Sequence, residues 1–235
     1  WRIALHESFR SGRVFGEDVV FTYGPWGFLL TGVYVPGGTL GLLIAFWCVV
    51  ALAVTWSCLL YAFQVLPGRG APLALFGGFL AVATLRGEES MGFAILALYA
   101  IVALAPEAAP VRARCALPLV ALLAWLGLAK FTLGVAGLGL VLLVTASRAA
   151  TRRTLGPDLP VFVGVWLVLW LIAGQPLTAI PAYIENSVIG ALGYTAAMSL
   201  EGAPTGAVTV ALVGLASVIV VTVVMSAAVA RRQRL

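Results

Sequence analysis

The chain has 235 residues, of which 62% are hydrophobic and only 10% are charged, with a mean hydropathy of +1.09. This composition lies far outside that of soluble globular domains and indicates an integral membrane protein. Because the sequence lacks the alternating ten-residue strands of outer-membrane barrels, the spans are predicted to be helices, which makes the fold all-α. The net charge of +5 is assigned to cytoplasmic residues beside anionic lipid, and no patch typical of nucleic-acid binding is present.

The two ends of the sequence carry no recognisable start or targeting signal. The sequence begins at Trp1 rather than at Met and ends at Leu235, directly after a basic cluster. It has no signal-peptide pattern of basic, apolar and small-residue regions. We therefore expect it to be a piece of a longer protein, so that a catalytic residue could lie outside it.

The first predicted element is an external loop over residues 1–39, which is too polar to span a membrane. Trp1–Arg10 is predicted to form a short helix, and Pro25 biases Gly24 away from the helical region. The loop either only seats the chain on the bilayer surface or also carries chemistry, and the residue types leave both open. Three aromatic residues are expected to anchor it at the membrane interface: Trp26, Phe28 and Tyr34.

The remainder, residues 40–235, is predicted to be a polytopic bundle of about seven transmembrane helices. The run at 116–129 would cover only about 21 Å as a helix. Two full spans and a re-entrant pair around Lys130 therefore both remain open for residues 116–147. The apolar runs are residues 40–66, 72–85, 91–105, 116–129, 131–147, 159–173 and 207–230. Three cysteines in these runs or directly beside them are predicted to be core residues outside any disulfide, not metal ligands: Cys48, Cys58 and Cys115.

The charges predict the orientation, because Lys and Arg near the ends of spans are retained in the cytoplasm. With the C-terminus inside, seven of the nine acidic residues and the single histidine, His6, lie outside. The longest loop between two predicted spans, residues 174–206, also lies outside. We therefore expect any chemistry on the external face. Nine of the 14 basic residues are cytoplasmic in this arrangement: Arg69, Arg112, Arg114, Arg148, Arg152, Arg153, Arg231, Arg232 and Arg234.

The first loop contains the pattern Gly12-x-x-x-Gly16-x-Asp18-x-x-x-x-Tyr23-Gly24-Pro25. Followed by a long apolar run, it resembles the first external loop of GT-C-type membrane glycosyltransferases, which use polyprenyl-phosphate-linked sugars. The stretch FTYGPWGF at residues 21–28 is similar to that of uncharacterised bacterial multi-pass membrane proteins, which also carry a later segment similar to residues 193–199. The resemblance covers the loop well and the rest only as a hydropathy profile. It implies sugar transfer from a polyprenyl-phosphate carrier to an acceptor, on the external face of a bacterial cytoplasmic membrane.

The resemblance also implies an acidic base that deprotonates the acceptor hydroxyl. Members of the family usually carry an Asp more than ten residues before the glycine that corresponds to Gly12, and here that position would fall before Trp1. Glu7 is a weak substitute for it. Asp18 is the best candidate within the chain for an acidic or positioning role, with a loop-capping carboxylate as the alternative.

Isolated cations are the candidates for the carrier phosphate. Lys130 lies between two apolar runs, where an ammonium must reach the interface, an aqueous cavity or an anion. We expect Lys130 to contact the phosphate, with Arg86 second; snorkelling at a helix end is the alternative. Glu88 and Glu89 could bind a sugar hydroxyl or a divalent cation, or pair with Arg86. Their spacing alone defines no metal site, and no other cofactor is expected.

The external loop 174–206 is predicted to contain a helix that lies in the membrane interface with its apolar side down. Glu185 and Asn186 fall off the apolar stripe. Tyr194, together with Tyr23 of the first loop, is a candidate for substrate binding, and the segment after the helix could form a lid over a cavity. An inert interfacial helix is the alternative. The stripe consists of Ile180, Tyr183, Ile184, Val188 and Leu192.

Three functions are compatible with these features. A glycosyltransferase would bind a polyprenyl-phosphate-linked sugar and contact membrane lipid. A transporter or lipid-handling protein would need ionisable groups near the middle of the membrane and repeated halves, and no internal repeat is found. A purely structural membrane subunit would leave the acidic residues on one face without a role. The identity of the sugar and of the acceptor does not follow from the sequence.

Overall fold

The computed structural model describes residues 1–33, 39–65, 77, 90–104, 109–152 and 155–198. Over these residues the protein is all-helical and contains no strand, which confirms the predicted fold class. Two isolated β-bridges occur, one between Phe15 and Val19 and one between Tyr23 and Lys130. The helices are α1 (Arg2–Arg10), α2 (Gly27–Thr31), α3 (Leu40–Val65), α4 (Ser90–Leu104), α5 (Ala109–Ala129), α6 (Phe131–Arg152), α7 (Asp158–Ile172) and α8 (Ile180–Met198), with a 3₁₀ turn at Leu177–Ala179.

The helices follow the predicted apolar runs closely, except where charged residues extend them. The starts of α3, α4 and α7 differ from the predicted starts by at most one residue. In contrast, α5 starts seven residues before its predicted run and includes Arg112 and Arg114, and α6 continues to Arg152. Hydropathy detects only the apolar part of a helix, so the charged ends of α5 and α6 were not predicted to be helical. The runs at 72–85 and 207–230 lie outside the described residues, apart from Gly77.

Two of the described helices are long and apolar enough to cross a membrane by themselves: α3 over Leu40–Tyr61 and α6 over Phe131–Ala150. A third span results if α7 and α8 are counted together, although they are bent by 115° at their junction. These helices support membrane association. The count of seven spans and the orientation stay predictions.

Helices α5 and α6 form an antiparallel hairpin that turns at Lys130. A methyl group on Gly134 would meet the Cα atom of Gly127, and a methyl group on Gly137 would lie 3.5 Å from the Cβ atom of Leu123. The missing side chains let the two backbones approach closely, as small residues do between membrane helices. Residues 116–147 are thus two antiparallel helices, a feature that the two-span and the re-entrant arrangements share.

Helix α5 provides much of the core, and helices α3, α4, α6 and α7 pack around it. The side chains of Leu119, Leu123 and Leu126 are fully buried. Cys58 on α3 and Cys115 on α5 are buried, as predicted, and neither is in a disulfide. Cys48 is also a free thiol, but it is exposed, because it lies on the face of α3 that points away from α5.

The opening segment, residues 1–31, packs most of its aromatic residues against the protein, although Trp1 is 54% exposed. Trp26 and Phe28 are buried, so the expected interfacial belt is wrong for these two residues. The Phe28 ring lies 4.6 Å from the Phe9 ring and 4.8 Å from the His6 ring, measured between centroids. These contacts join α1 to α2. The third expected belt residue, Tyr34, lies outside the described residues.

The apolar stripe predicted for α8 is split between two faces. Tyr183 is buried against the protein, whereas Ile184, Val188 and Leu192 are exposed. Asn186, expected off the stripe, instead faces the protein and donates a hydrogen bond to another segment. In a membrane, aliphatic side chains can face the lipid tails, because these tails are equally apolar. Polar side chains can then face the protein and form hydrogen bonds there.

Candidate functional site

The C-terminal end of α5 is where the opening segment meets the helical bundle. The last carbonyls of a helix have no acceptor role within the helix and need donors from elsewhere. The backbone N–H of Trp26 donates to the Leu128 carbonyl at 3.2 Å, and that of Gly24 donates to the Ala129 carbonyl at 3.3 Å. The opening segment therefore caps α5.

Two further hydrogen bonds complete the cap. The N–H of Phe131, which would otherwise donate to the carbonyl of Gly127 in a continuous helix, donates to the Thr22 carbonyl at 2.9 Å. The Gly127 carbonyl accepts the hydroxyl of Tyr183 at 3.3 Å instead. The chain can therefore reverse at Lys130 without leaving these backbone groups unpaired.

The dipeptide Gly24-Pro25 makes this capping possible. The N–H of Gly27 donates to the Gly24 carbonyl at 2.9 Å, which closes a β-turn with Pro25 at its second position. Trp26 has φ −96° and ψ 5°, the usual values for the third position of a type I turn. A methyl group on Gly24 would meet the Leu128 carbonyl oxygen and lie 2.7 Å from the Tyr183 hydroxyl. Only glycine fits this close approach.

Two residues assigned to substrate from the sequence, Lys130 and Tyr23, meet at the tip of the hairpin. They form an antiparallel bridge, and the Lys130 ammonium lies 5.0 Å from the centroid of the Tyr23 ring. A cation over an aromatic face is stabilised by roughly 0.5–2 kcal/mol. Tyr23 is buried and Lys130 is half-buried. The ammonium is thus held at the junction of the opening segment and the bundle.

Further aromatic rings lie next to the contact between Lys130 and Tyr23. The ring of Trp1 lies 4.9 Å from that of Tyr23, and the ring of Phe21 lies 5.4 Å from it. The guanidinium of Arg2 sits 5.5 Å from the centroid of the Trp1 ring. We call the group formed by Trp1, Phe21, Tyr23 and Lys130 the Lys130 patch.

Asp18 shapes its own loop. Its Oδ2 atom accepts the backbone N–H of Val14 at 2.9 Å, and its own N–H donates to the Val14 carbonyl at 2.8 Å. The loop-capping contact expected as the alternative role of Asp18 is therefore present. The side chain is exposed, and its catalytic or positioning role stays a prediction.

The other candidates either make a contact within their own helix or lie outside the described residues. Glu7 is exposed on α1, and one of its carboxylate oxygens is 3.9 Å from Nη1 of Arg10 on the same helix. Tyr194 belongs to α8, but its side chain is outside the described residues. Arg86, Glu88 and Glu89 are also outside them, so their proposed contacts with sugar or phosphate stay predictions. Among the residues that are described, no group of three or more potential metal ligands occurs.

An apolar cavity of about 390 Å³ opens directly beside the hairpin tip, between α5, α6, α7 and α8. Its volume falls within the range of small-molecule sites, roughly 300–1,000 Å³. Gly127 and Gly134 line the cavity where α5 and α6 approach each other closely. The other walls include Phe131, Leu138, Trp166, Ile180 and Tyr183. Phe131 follows Lys130 in the chain, so the residue that carries the cation adjoins a residue of the cavity wall.

Two amide side chains that the sequence did not single out hold the opening segment on α7 and α8. Gln175, at the bend between these helices, accepts the N–H of Phe15 at 2.8 Å and donates to the Arg13 carbonyl at 3.1 Å. Asn186 donates to the Gly16 carbonyl at 2.7 Å. These contacts could have been suspected from the sequence, because amide side chains within a mostly apolar region need hydrogen-bond partners when they are buried.

A second buried polar cluster lies at the opposite end of the hairpin. Nη1 of Arg148 donates to Oδ1 of Asp158 at 2.6 Å, and the hydroxyl of Tyr99 donates to Oδ2 at 2.7 Å. The 18 residues from Lys130 to Arg148 correspond to about 27 Å of helix. From the sequence, Arg148 and Asp158 were only cytoplasmic loop charges. Their opposite charges, ten residues apart on either side of the loop between α6 and α7, could have indicated this ion pair.

No match to this chain was found in comparisons with protein families, with curated proteins and with solved structures.

Proposed function

We propose that the protein is a membrane glycosyltransferase-like enzyme that transfers a sugar from a polyprenyl-phosphate carrier to an acceptor on the external face. The observation that carries this proposal is that Lys130, whose ammonium lies over the Tyr23 ring, directly precedes Phe131 of the apolar cavity wall. A cation next to an apolar cavity complements a molecule in which a phosphate is joined to a hydrocarbon chain. The first-loop resemblance adds the sugar.

In this proposal Lys130 binds the phosphate of the carrier. Charge develops on that phosphate as the bond to the sugar breaks, and a positioned cation stabilises it in the transition state. Tyr23 holds the ammonium at the hairpin tip. The cavity receives the part of the isoprenoid chain next to the phosphate, because its aromatic and aliphatic walls can pack closely against that chain.

The transfer itself makes one bond and breaks one. The acceptor hydroxyl oxygen bonds to the anomeric carbon of the sugar while the bond between that carbon and the phosphate oxygen breaks, which releases polyprenyl phosphate. A carboxylate takes the hydroxyl proton. Asp18 is the preferred candidate because it belongs to the segment that carries Tyr23, and Glu7 is second. Arg86, Glu88, Glu89 and Tyr194 stay candidates for the sugar and the phosphate.

A transporter or lipid-handling protein without covalent chemistry is the second candidate. The bend of 115° between α7 and α8, beside the cavity, favours it, since broken helices line the substrate sites of many transporters. Both candidate acids are exposed and engaged within their own segments, Asp18 with Val14 and Glu7 with Arg10. Both functions need the same lipid site and differ in whether the sugar is transferred.

The test uses the protein in liposomes with a panel of radiolabelled polyprenyl-phosphate sugars. We expect Lys130→Met to lower transfer by roughly 100-fold, the usual cost of removing one group that stabilises the transition state. Lys130→Arg should retain part of the activity, and Asp18→Asn should lower it if Asp18 is the base. Arg13→Met is the control, because it removes an exposed cation from the opening segment, which contacts the hairpin tip.

Carrier-dependent transfer that is lost in Lys130→Met and kept in Arg13→Met would support the enzyme. Binding or translocation of the carrier without any sugar transfer would favour the second candidate. Wild-type transfer by folded Lys130→Met would contradict the role of Lys130.

A further inference from the structure

Tyr183 lies where the opening segment, the hairpin tip and the cavity meet. Its hydroxyl donates to the Gly127 carbonyl, and a methyl group on Gly24 would lie 2.7 Å from that hydroxyl. Its side chain is also part of the cavity wall. One buried side chain therefore contacts the cap of α5 and forms part of the proposed lipid site.

The backbone of Tyr183 supports the loop that carries Asp18. Gly16 has φ +97°, a conformation that favours glycine, and a methyl group there would meet the backbone N and Cα atoms of Tyr183. Three residues further along α8, Asn186 donates to the Gly16 carbonyl. The loop at Gly16 is thus seated on the same turn of α8 that places the Tyr183 ring.

The ring of Tyr183 is held between two other aromatic rings. The Phe131 ring lies edge-on to it at 6.2 Å, and the Trp170 ring lies at 5.1 Å, measured between centroids. Trp170 in turn stacks on Trp166, another cavity wall residue, at 5.4 Å. A chain in the cavity would contact this aromatic wall and restrict the positions open to the Tyr183 ring.

We propose that Tyr183 is a positioning residue that couples binding of the carrier chain in the cavity to the seating of the opening segment. The inference rests on the proposed function. An occupied cavity holds the hydroxyl on the Gly127 carbonyl and beneath Gly24, which keeps the segment bearing Tyr23 and Asp18 in place. Because coupling between two binding events is reciprocal, a seated segment also strengthens chain binding.

The experiment measures hydrogen exchange of the backbone amides of residues 14–27 in nanodiscs, with and without polyprenyl phosphate. This ligand lacks the sugar, so it cannot turn over. Its binding is measured separately on the same samples. The variants are Tyr183→Phe, which keeps the ring and removes the hydroxyl, and Tyr183→Leu, which removes both. Ile189→Ala is the control, because Ile189 is 59% exposed on the outward face of α8.

In the wild type and in Ile189→Ala, polyprenyl phosphate should slow exchange of the segment about 5- to 150-fold, the usual range of coupling between sites. Tyr183→Phe should bind the ligand more weakly, by about the coupling factor that it loses, and should show little added protection even at saturating ligand. In the transfer assay the same variant should raise KM and lower kcat. Tyr183→Leu should show no added protection.

A purely structural role for Tyr183 gives a different result, since exchange in Tyr183→Phe would then rise equally with and without ligand. That outcome, or unchanged protection in Tyr183→Phe, would overturn the coupling while leaving the proposed function intact. If wild-type protein binds no polyprenyl phosphate, the proposed function itself fails. Equal protection by a diacyl phosphatidic acid would support the coupling and overturn the assignment of the cavity to an isoprenoid chain.

Discussion

Asp158 shows at the scale of single residues how a charge is kept inside this protein. Its carboxylate has no exposed surface, and each oxygen receives one donor, from Arg148 and from Tyr99. Such a pair is costly to desolvate, but removing one member is costlier, because the other remains buried and charged. Gly156 contributes by its small size, since a methyl group there would lie 2.9 Å from Nη1 of Arg148.

We predict that Asp158→Asn lowers the free energy of unfolding by about 3–5 kcal/mol, because it leaves the Arg148 guanidinium without a counter-charge. Tyr99→Phe should cost less, about 1.5–3 kcal/mol, because one hydrogen bond to the buried carboxylate is lost while the ion pair remains. Thermal unfolding can be followed by labelling of the buried thiols Cys58 and Cys115 in a Cys48→Ser background. Glu185→Gln, a change at an exposed acid, is the control, and an equal effect of both acid substitutions would contradict the prediction.

Gln175 is the second residue whose role follows from its partners. It satisfies the buried N–H of Phe15 and the carbonyl of Arg13 with one amide group. We predict that Gln175→Ala loosens the opening segment by about 1–3 kcal/mol, the penalty of an unsatisfied buried polar group. Trypsin cleavage after Arg13 should accelerate by roughly 5- to 150-fold. Thr178→Ala, at an exposed position nearby, should cleave at the wild-type rate; acceleration in both variants would argue against this role.

At the scale of elements, the close contact of α5 with α6 depends on glycines that face the partner helix. Gly134 and Gly139 both lie on α6, but only Gly134 faces α5 closely. The antiparallel hairpin places Lys130 at its tip, and the two glycines at the close contact, Gly127 and Gly134, also line the cavity. The contact between the helices and the proposed lipid site therefore share residues.

We predict that Gly134→Ala separates the hairpin and destabilises the protein by about 1–3 kcal/mol, the usual cost of overpacking. Gly139→Ala should be neutral or stabilising by up to about 1 kcal/mol, because no atom lies within 4 Å of the new methyl group and alanine favours helix. Both variants can be compared by thermal unfolding in the same detergent. Equal destabilisation by the two substitutions would show that the close approach is not what matters.

At the scale of the whole molecule, α6 separates two polar regions. The Lys130 patch and the opening segment lie at its N-terminal end, and the Arg148–Asp158 pair lies at its C-terminal end. The same arrangement follows from the charge rule, in which the first loop is external and the connection between α6 and α7 is cytoplasmic. The charge rule uses only the Lys and Arg residues that flank the spans. The structure places the two regions by contacts between residues, so the two observations are independent.

We predict that a cysteine at Val20 reacts with a membrane-impermeant maleimide in intact cells, and that a cysteine at Leu155 reacts only after permeabilisation. Both positions are exposed, at 56% and 70%, so burial does not explain a difference between them. The native Cys48 is replaced by Ser in both proteins. Labelling of both cysteines from outside would rule out a crossing by α6, and the reverse pattern would invert the orientation.

Hydropathy was sufficient to predict much of the helical framework. It predicted α3, α4 and α7 with starts within one residue, and it marked Lys130 as a cation between two apolar runs. It overestimated the exposure of Trp26 and Phe28, because an aromatic residue beside polar neighbours resembles a residue of the membrane interface. It also missed the inward face of α8, because polar packing groups such as Asn186 are read as solvent-facing.

The sequence by itself determined the helical membrane class and the approximate helix limits, because these depend on the apolar character of neighbouring residues. The tertiary structure decided which distant residues meet: Tyr23 with Lys130, Gln175 with a segment 160 residues earlier, and Asn186 with one 170 residues earlier. These contacts depend on where backbones can approach, as at Gly16, Gly24 and Gly134. Local hydropathy contains no term for that geometry, so the site became visible only in three dimensions.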